Sequence, residues 1–164
     1  MKARLVTLVA LAAAVTLTAV AAAGPGASKQ RVAIDMKLWP QETFVLTPLL
    51  AGPLKRDTGA ISHTLLSISG RDVMRDGQRV RIYNGGLITL TGKRGTLTIR
   101  DRNEWVDLAR DGNGDGQDDG IGVTTWKVVR GTGQYAGIVG KGRGAHIGLG
   151  SPWYARYEGL LSAP

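Results

Sequence analysis

The segment that decides the fold is residues 87–100, LITLTGKRGTLTIR. Apolar and polar residues alternate on both sides of a four-residue turn, Gly92-Lys93-Arg94-Gly95. A period of two places successive side chains on opposite faces of a strand, and a short glycine-bounded turn joins two antiparallel strands. The segment therefore predicts a β-hairpin with one buried face.

Further stretches with a period of two lie on both sides of this hairpin, separated by clusters of turn-forming residues. The sequence predicts additional strands at residues 32–38, 43–47, 61–68, 79–83, 123–129, 137–149 and 153–161. Asn84-Gly85-Gly86 is predicted to turn the chain, and residues 104–108 either continue the hairpin or start another strand. Because no segment has an apolar stripe at helical spacing, the pattern predicts an all-β domain.

The glycine content favours a β-barrel. All 24 glycines follow Ala23, so they account for 24 of the last 141 residues (164 − 23), well above the usual share of about 7%. Glycine weakens helices, whereas within strands it permits the sharp coiling that closes a sheet. We predict a single antiparallel β-barrel of about eight strands over residues 31–164, with an open sandwich as the alternative.

The first 23 residues have the pattern of a cleavable signal peptide. Lys2 and Arg4 precede an uncharged run at residues 5–20, and Ala21-Ala22-Ala23 offers a cleavage site. The alternative is a membrane anchor, which the alanine and threonine content of the run disfavours. We expect a secreted, periplasmic or cell-envelope protein with no stable membrane insertion after cleavage, and residues 24–30 as a flexible lead-in.

Composition excludes several classes of chemistry. The chain has no cysteine and two histidines, which rules out a disulfide scaffold, thiol catalysis and a cysteine-based metal site. Cleavage after Ala23 would leave a net charge of +6 (21 − 2 − 13). Nucleic acid is not an expected partner outside the cytoplasm. Arg79 and Arg81 share a strand face, and the sequence favours a solvated basic exterior over contact with an anionic envelope polymer.

An acidic loop at residues 111–120 resembles the first half of a calcium-binding loop. Oxygen-bearing side chains at alternate positions surround Gly116, which permits the turn. The candidate calcium ligands are Asp111, Asn113, Asp115, Gln117 and Asp119. Because Gly122 stands at the twelfth position, where a bidentate glutamate would complete the loop, we expect weak calcium binding at most. A solvated turn is the alternative.

The segment WKVVRGTGQYAGIVGKG at residues 126–142 is similar to the GTGxYxGxxGxG segment of allene oxide cyclase-like and dirigent-like β-barrels, including small secreted bacterial members. Gly52-Pro53-Leu54 followed by Asp57-Thr58-Gly59 resembles a turn of the same proteins, and Tyr157-Glu158-Gly159 resembles their closing strand. The resemblance spans residues 42–161 and implies a barrel fold. Members include cyclases, stereochemical guides for radical coupling and proteins of unknown role, and no catalytic residue is carried over.

Three functions remain open for such a barrel. We favour a secreted protein that binds a small apolar or amphipathic ligand. An isomerase or cyclase acting in the cavity and a structural barrel with a filled core are the alternatives. An interior carboxylate or histidine would favour the enzyme. His63 is expected to line the barrel, and Tyr135 to lie over one end. The candidate acids are Glu42, Glu104, Asp107 and Glu158.

Overall fold

The computed structural model describes residues 28–38, 41–65, 70–108, 119–149 and 152–163. The strands are β1 (Lys29–Leu38), β2 (Thr43–Pro48), β3 (Asp57–Leu65), β4 (Arg71–Arg75), β5 (Gln78–Gly92), β6 (Gly95–Asp107), β7 (Gly120–Gly131), β8 (Val139–Gly148) and β9 (Trp153–Ser162). Within these ranges the helical structure is limited to one 3-10 turn, Gly133–Tyr135. None of the described segments forms a helix with the length and hydropathy needed to span a membrane.

Eight of the strands close into an antiparallel barrel. Strands β3, β2, β1, β9, β8, β7, β6 and β5 are hydrogen-bonded side by side in that order, and β5 pairs with β3 to complete the ring. The ninth strand, β4, extends the ring as a hairpin with the first half of β5. The prediction of an all-β, eight-stranded antiparallel barrel is therefore confirmed.

The predicted turn at residues 84–86 is wrong. Strand β5 runs through this segment, and its register against β6 shifts between Asn84 and Gly86, which marks a β-bulge. The chain reverses instead at Asp76-Gly77, where φ values of 50° and 77° suit a two-residue hairpin loop. Glycine relieves the backbone strain of a bulge as readily as that of a turn, so the Asn-Gly-Gly triplet did not distinguish the two.

The central hairpin and its continuation at residues 104–108 hold, but two other local predictions are wrong: residues 29–30 are not a flexible lead-in, and Asp57-Thr58-Gly59 starts β3 and is not a turn. Gly92 pairs with Gly95 in the central hairpin, so Lys93-Arg94 is the loop between β5 and β6. Strand β6 extends to Asp107, so residues 104–108 continue the hairpin. Strand β1 begins at Lys29, within the segment expected to be a flexible lead-in, and Gln30 is buried.

Alternate residues of each strand point into the barrel and form its core. The first end of the barrel carries the β2–β3, β5–β6 and β7–β8 connections, and the second end carries the β1–β2, β6–β7 and β8–β9 connections. Apolar side chains fill the interior from the first end to the middle, among them Val32, Ile34, Phe44, Leu46, Leu90, Leu97, Ile99 and Leu161.

Interior glycines make room for aromatic rings. At several glycines of β7, β8 and β9, an added Cβ atom would collide with a neighbouring indole or phenol ring. The pairs are Gly120 with Trp105, Gly142 and Gly159 with Trp126, Gly144 with Tyr157, and Gly148 with Trp153. The high glycine content thus serves ring packing inside the barrel as well as the coiling of its strands.

Candidate functional site

The first end of the barrel is sealed around Asp57, whose side chain is buried. Its carboxylate accepts hydrogen bonds from the backbone N–H groups of Lys93 (3.0 Å) and Arg94 (3.2 Å) and from the hydroxyl of Tyr135 (3.1 Å). The backbone N–H of Thr58 adds a fourth at 2.9 Å. Burial is the main cause that raises the pKa of Tyr135. Tyr135 therefore acts as a neutral donor. It lies over one end of the barrel, as the sequence predicted.

A buried amide fastens the β2–β3 connection over the same end. The Gln30 side chain donates to the carbonyls of Leu50 (2.8 Å) and Leu54 (3.2 Å) and accepts from the N–H of Leu54 (2.8 Å). Leu54 is itself buried and belongs to the core. The motif residues at positions 52–59 and 131–137 thus meet at the sealed end, where their role is structural.

A polar cluster lies inside the barrel toward the second end. The buried carboxylate of Asp101 accepts hydrogen bonds from Asn103 Nδ2 (3.0 Å) and from the hydroxyl of Tyr157 (3.3 Å). Loss of hydration on burial raises the pKa of Asp101, and it also raises the pKa of Tyr157, with the Asp101 charge contributing. A Cβ atom at Gly86 would lie 2.5 Å from Asp101 Oδ1, so glycine leaves the space that this carboxylate occupies.

An aromatic wall borders the cluster. Trp105 and Trp153 are stacked with ring centroids 5.5 Å apart, and His146 meets Trp105 edge to face at 5.3 Å. The Trp105 N–H donates to Asp107 Oδ1 at 2.5 Å, which fixes the ring at the barrel mouth. The wall offers flat apolar surface beside the polar groups of the cluster.

The second end contains buried polar atoms without partners and keeps some access to solvent. Asn103 Oδ1 and His146 Nε2 are buried and have no hydrogen-bond partner. Unsatisfied buried polar atoms are costly and rare in native structures. Asn103, His146 and Trp153 are nevertheless partly exposed as residues, unlike the core at the sealed end. These atoms therefore mark positions where a bound molecule can complete the hydrogen bonding.

His63 belongs to the same end of the barrel. It pairs with Ile88 on the inward side of the β3–β5 ladder, as predicted for a lining residue. Its Nδ1 lies 3.8 Å from Glu42 Oε1, and its positive charge, when present, lowers the pKa of Asp101. The cluster thus contains an interior carboxylate, Asp101, and a histidine close enough to influence the pKa of that carboxylate.

The four candidate acids do not converge inside the barrel. Glu104 binds Arg75 (2.5 Å) and Arg102 (2.9 Å) on the outer face, and these cations lower its pKa. Glu158 is held in the same way by Arg31 and Arg156. The buried acid of the polar cluster is Asp101, which the sequence reasoning missed. Its position continues the inward alternation of Leu97 and Ile99, and following that alternation would have found it.

Asp111, Asn113, Asp115 and Gln117 of the predicted calcium loop lie outside the described residues, so calcium binding stays a prediction. The fifth residue, Asp119, is buried, and its backbone carbonyl accepts a hydrogen bond from the N–H of Leu108 at 2.8 Å. Over the part of the chain that the structure covers, no group of three or more histidine, aspartate or glutamate side chains is arranged to hold a metal ion.

A recess of about 810 Å³ is lined largely by outward-facing residues of the barrel. Its lining includes Ile121, Ile147 and Tyr154, which oppose one another on β7, β8 and β9 and point away from the interior. Its lining also includes His146, so the recess adjoins the aromatic wall, whereas Asp101 and Asn103 are not part of it.

No protein-family model, curated protein or solved structure matches this chain.

The buried His146 predicts a pH-dependent stability. Burial lowers its pKa from 6.5 to about 4, so between these values the unfolded chain binds a proton that the folded chain does not. Stability should therefore fall as the pH drops through this window, by up to roughly 3 kcal/mol. Urea unfolding at pH about 7 and about 4.5 measures the loss.

The matched variants are His146→Leu and His63→Leu. The first should lack most of the acid-induced loss, and the second should keep it, because His63 is more exposed. Equal pH dependence in the wild type and in His146→Leu would show that the loss comes from other groups. The raised pKa of Asp101 acts in the opposite direction, since its contribution to stability falls as the pH rises.

Proposed function

We propose that the protein is a secreted β-barrel that binds a small apolar or amphipathic ligand inside its second end. One observation carries the proposal: the unpartnered oxygen of Asn103 lies beside Trp105 in an interior that is sealed at the other end. Small eight-stranded barrels either fill with side chains or hold one small ligand. A buried acceptor next to an aromatic wall favours the second of these arrangements.

The chemistry of the cluster defines the class of ligand. The stacked Trp105 and Trp153 rings suit a flat apolar body, and Asn103 Oδ1 requires a hydrogen-bond donor such as a hydroxyl group. None of the described residues places a donor within hydrogen-bond distance of Asn103 Oδ1. The ligand we propose is therefore an aromatic or polyene alcohol, or a phenol.

Titration calorimetry with 1-naphthol and 1-methylnaphthalene tests this proposal. The two probes have similar rings, but only the naphthol donates a hydrogen bond. We expect the naphthol to bind about tenfold more tightly, since one such bond contributes about 1–1.5 kcal/mol. The difference should disappear in Asn103→Leu, which removes the acceptor.

Ile147→Ser is the control for the outer recess. It changes a side chain of the recess and leaves the interior cluster intact. Unchanged naphthol affinity in Ile147→Ser supports the interior site. Loss of binding in Ile147→Ser with full binding in Asn103→Leu would place the ligand on the outer surface and contradict the proposal.

An isomerase or cyclase is the second candidate, and the Asp101 carboxyl favours it. Burial raises the pKa of this group, and His63 and Tyr157 lie close enough to influence it, which is the setting of a general acid–base residue. Compounds extracted from the native secretion can be incubated with the protein in D₂O. Deuterium incorporation at carbon that is lost in Asp101→Asn would support catalysis, and its absence would leave a binding protein.

We also propose kinship with the allene oxide cyclase-like and dirigent-like barrels. Its support is the contact between the motif residues Asp57 and Tyr135, which the sequence places 78 residues apart. The two segments that resemble those barrels, around Asp57 and Tyr135, are joined by this hydrogen bond. Their contact is consistent with a fold shared with those barrels.

A further inference from the structure

Three cations oppose one another on the outside of the barrel. Arg100 of β6 is directly opposite Lys127 of β7, which is directly opposite Lys141 of β8. All three side chains are exposed. Neighbouring strands are about 4.8 Å apart, so this cation row (Arg100, Lys127 and Lys141) spans about 10 Å.

The surroundings of the cation row are basic. The outward positions of β6, β7 and β8 include one acid, Glu104, and the basic residues Arg100, Arg102, Lys127, Arg130, Lys141 and Arg143. Glu104 is already bound by Arg75 and Arg102. Glu158, opposite Arg143 on β9, is likewise bound by Arg31 and Arg156. Within the described ranges, no ion pair neutralises the cation row.

Arg79 and Arg81, which the sequence predicts to share a strand face, differ from the cation row. Both guanidinium groups bind the carboxylate of Asp72, at 3.1 Å and 2.9 Å. The single Asp72 carboxylate therefore offsets half of the positive charge of that pair. The comparison shows that these basic side chains bind an acid on the neighbouring strand, and the cation row has no such acid among the described residues.

Like charges directly opposite in a sheet destabilise it, and a bound polyanion relieves their repulsion. We infer that the cation row binds a linear anionic polymer with regularly spaced phosphate or carboxylate groups, laid across β6, β7 and β8. The row is extended, which suits several anions in sequence better than one small ion. Single-stranded nucleic acid fits less well, because binding its bases requires exposed aromatic rings. Both tryptophans of β6 and β7, Trp105 and Trp126, point inward.

Binding of the purified protein to two probes tests the inference. Inorganic polyphosphate supplies phosphate groups and polygalacturonate supplies carboxylates, so comparing them distinguishes the two sources of anionic charge. We expect the triple variant Arg100→Gln/Lys127→Gln/Lys141→Gln to lose about tenfold or more in affinity at moderate salt. The slope of log affinity against log salt concentration should become shallower by about two. Each cation bound to a single-stranded polyanion contributes about 0.7 to this slope, and the variant removes three.

Lys37→Gln/Lys55→Gln/Lys93→Gln is the matched control, since it removes three exposed lysines from other surfaces. It should change affinity by less than about threefold. The row variant should melt no lower than the wild type, because it removes opposed like charges. This measurement separates lost binding from lost folding, and a lower melting temperature would contradict the repulsion on which the inference rests.

Two other outcomes would overturn the inference. Equal losses in the two triple variants would mean that net charge alone governs binding. Tighter binding of single-stranded oligothymidylate than of either probe, at equal charge concentration, would assign the surface to nucleic acid instead.

Discussion

Replacing Gly142 with alanine is expected to cost about 3 kcal/mol or more of folding free energy, a large fraction of the stability of a domain of this size. The new Cβ would run into the backbone carbonyl oxygen of Glu158 and lie 2.5 Å from Cζ2 of Trp126. A backbone atom of the neighbouring strand cannot move without disturbing the β8–β9 ladder. Urea unfolding monitored by circular dichroism measures the loss.

Gly77→Ala is the control for this effect. Gly77 lies in the β4–β5 loop, where a Cβ would meet nothing within 4 Å. Its φ of 77° gives alanine a strain of about 1 kcal/mol, so the control should be only mildly destabilised. If Gly142→Ala costs no more than Gly77→Ala, the interior glycines are not required for close packing.

Asp57→Ala is expected to destabilise the barrel by about 3–5 kcal/mol. The substitution removes the acceptor of three backbone N–H groups and of the buried Tyr135 hydroxyl in one step. These donors are then left near or inside the core with no carboxylate to satisfy them. The sealed end should loosen as a result, with faster hydrogen exchange at Lys93 and Arg94.

Asp72→Ala is the matched control, because it also removes a carboxylate with several partners. Asp72 is exposed on β4 and binds Arg79 and Arg81. Exposed ion pairs contribute little, so the melting temperature should barely change. Similar losses in the two variants would mean that the Asp57 network contributes no more than a surface ion pair.

The sequence predicted the barrel because its signals are local. Alternation over residues 87–100 and the glycines at positions 92 and 95 specify a hairpin without reference to the rest of the chain. The error at residues 84–86 has a local cause as well, since the same residue types suit a turn and a bulge. Which of the two forms depends on pairing with β6, a long-range property.

The interior site was harder to predict than the fold. Asp101, Asn103 and Tyr157 are brought together by ring closure, and Tyr157 lies 56 residues from Asp101 in the chain. The sequence therefore indicates candidate acids by residue type alone, and three of them, Glu42, Glu104 and Glu158, pair with basic side chains. The cation row likewise depends on the registers of β6, β7 and β8, which sequence alone does not specify.

The central claim is that a ligand enters the second end of the barrel beside Trp105 and Trp153. The indole N–H signals in a ¹⁵N–¹H spectrum, recorded during titration with 1-naphthol, test it most directly. The signals of Trp105 and Trp153 should shift together and saturate, while that of Trp126, whose N–H donates to the Arg143 carbonyl at 3.3 Å, should stay in place. Unmoved indole signals with shifts confined to the amides of Ile121 and Ile147 would contradict the claim.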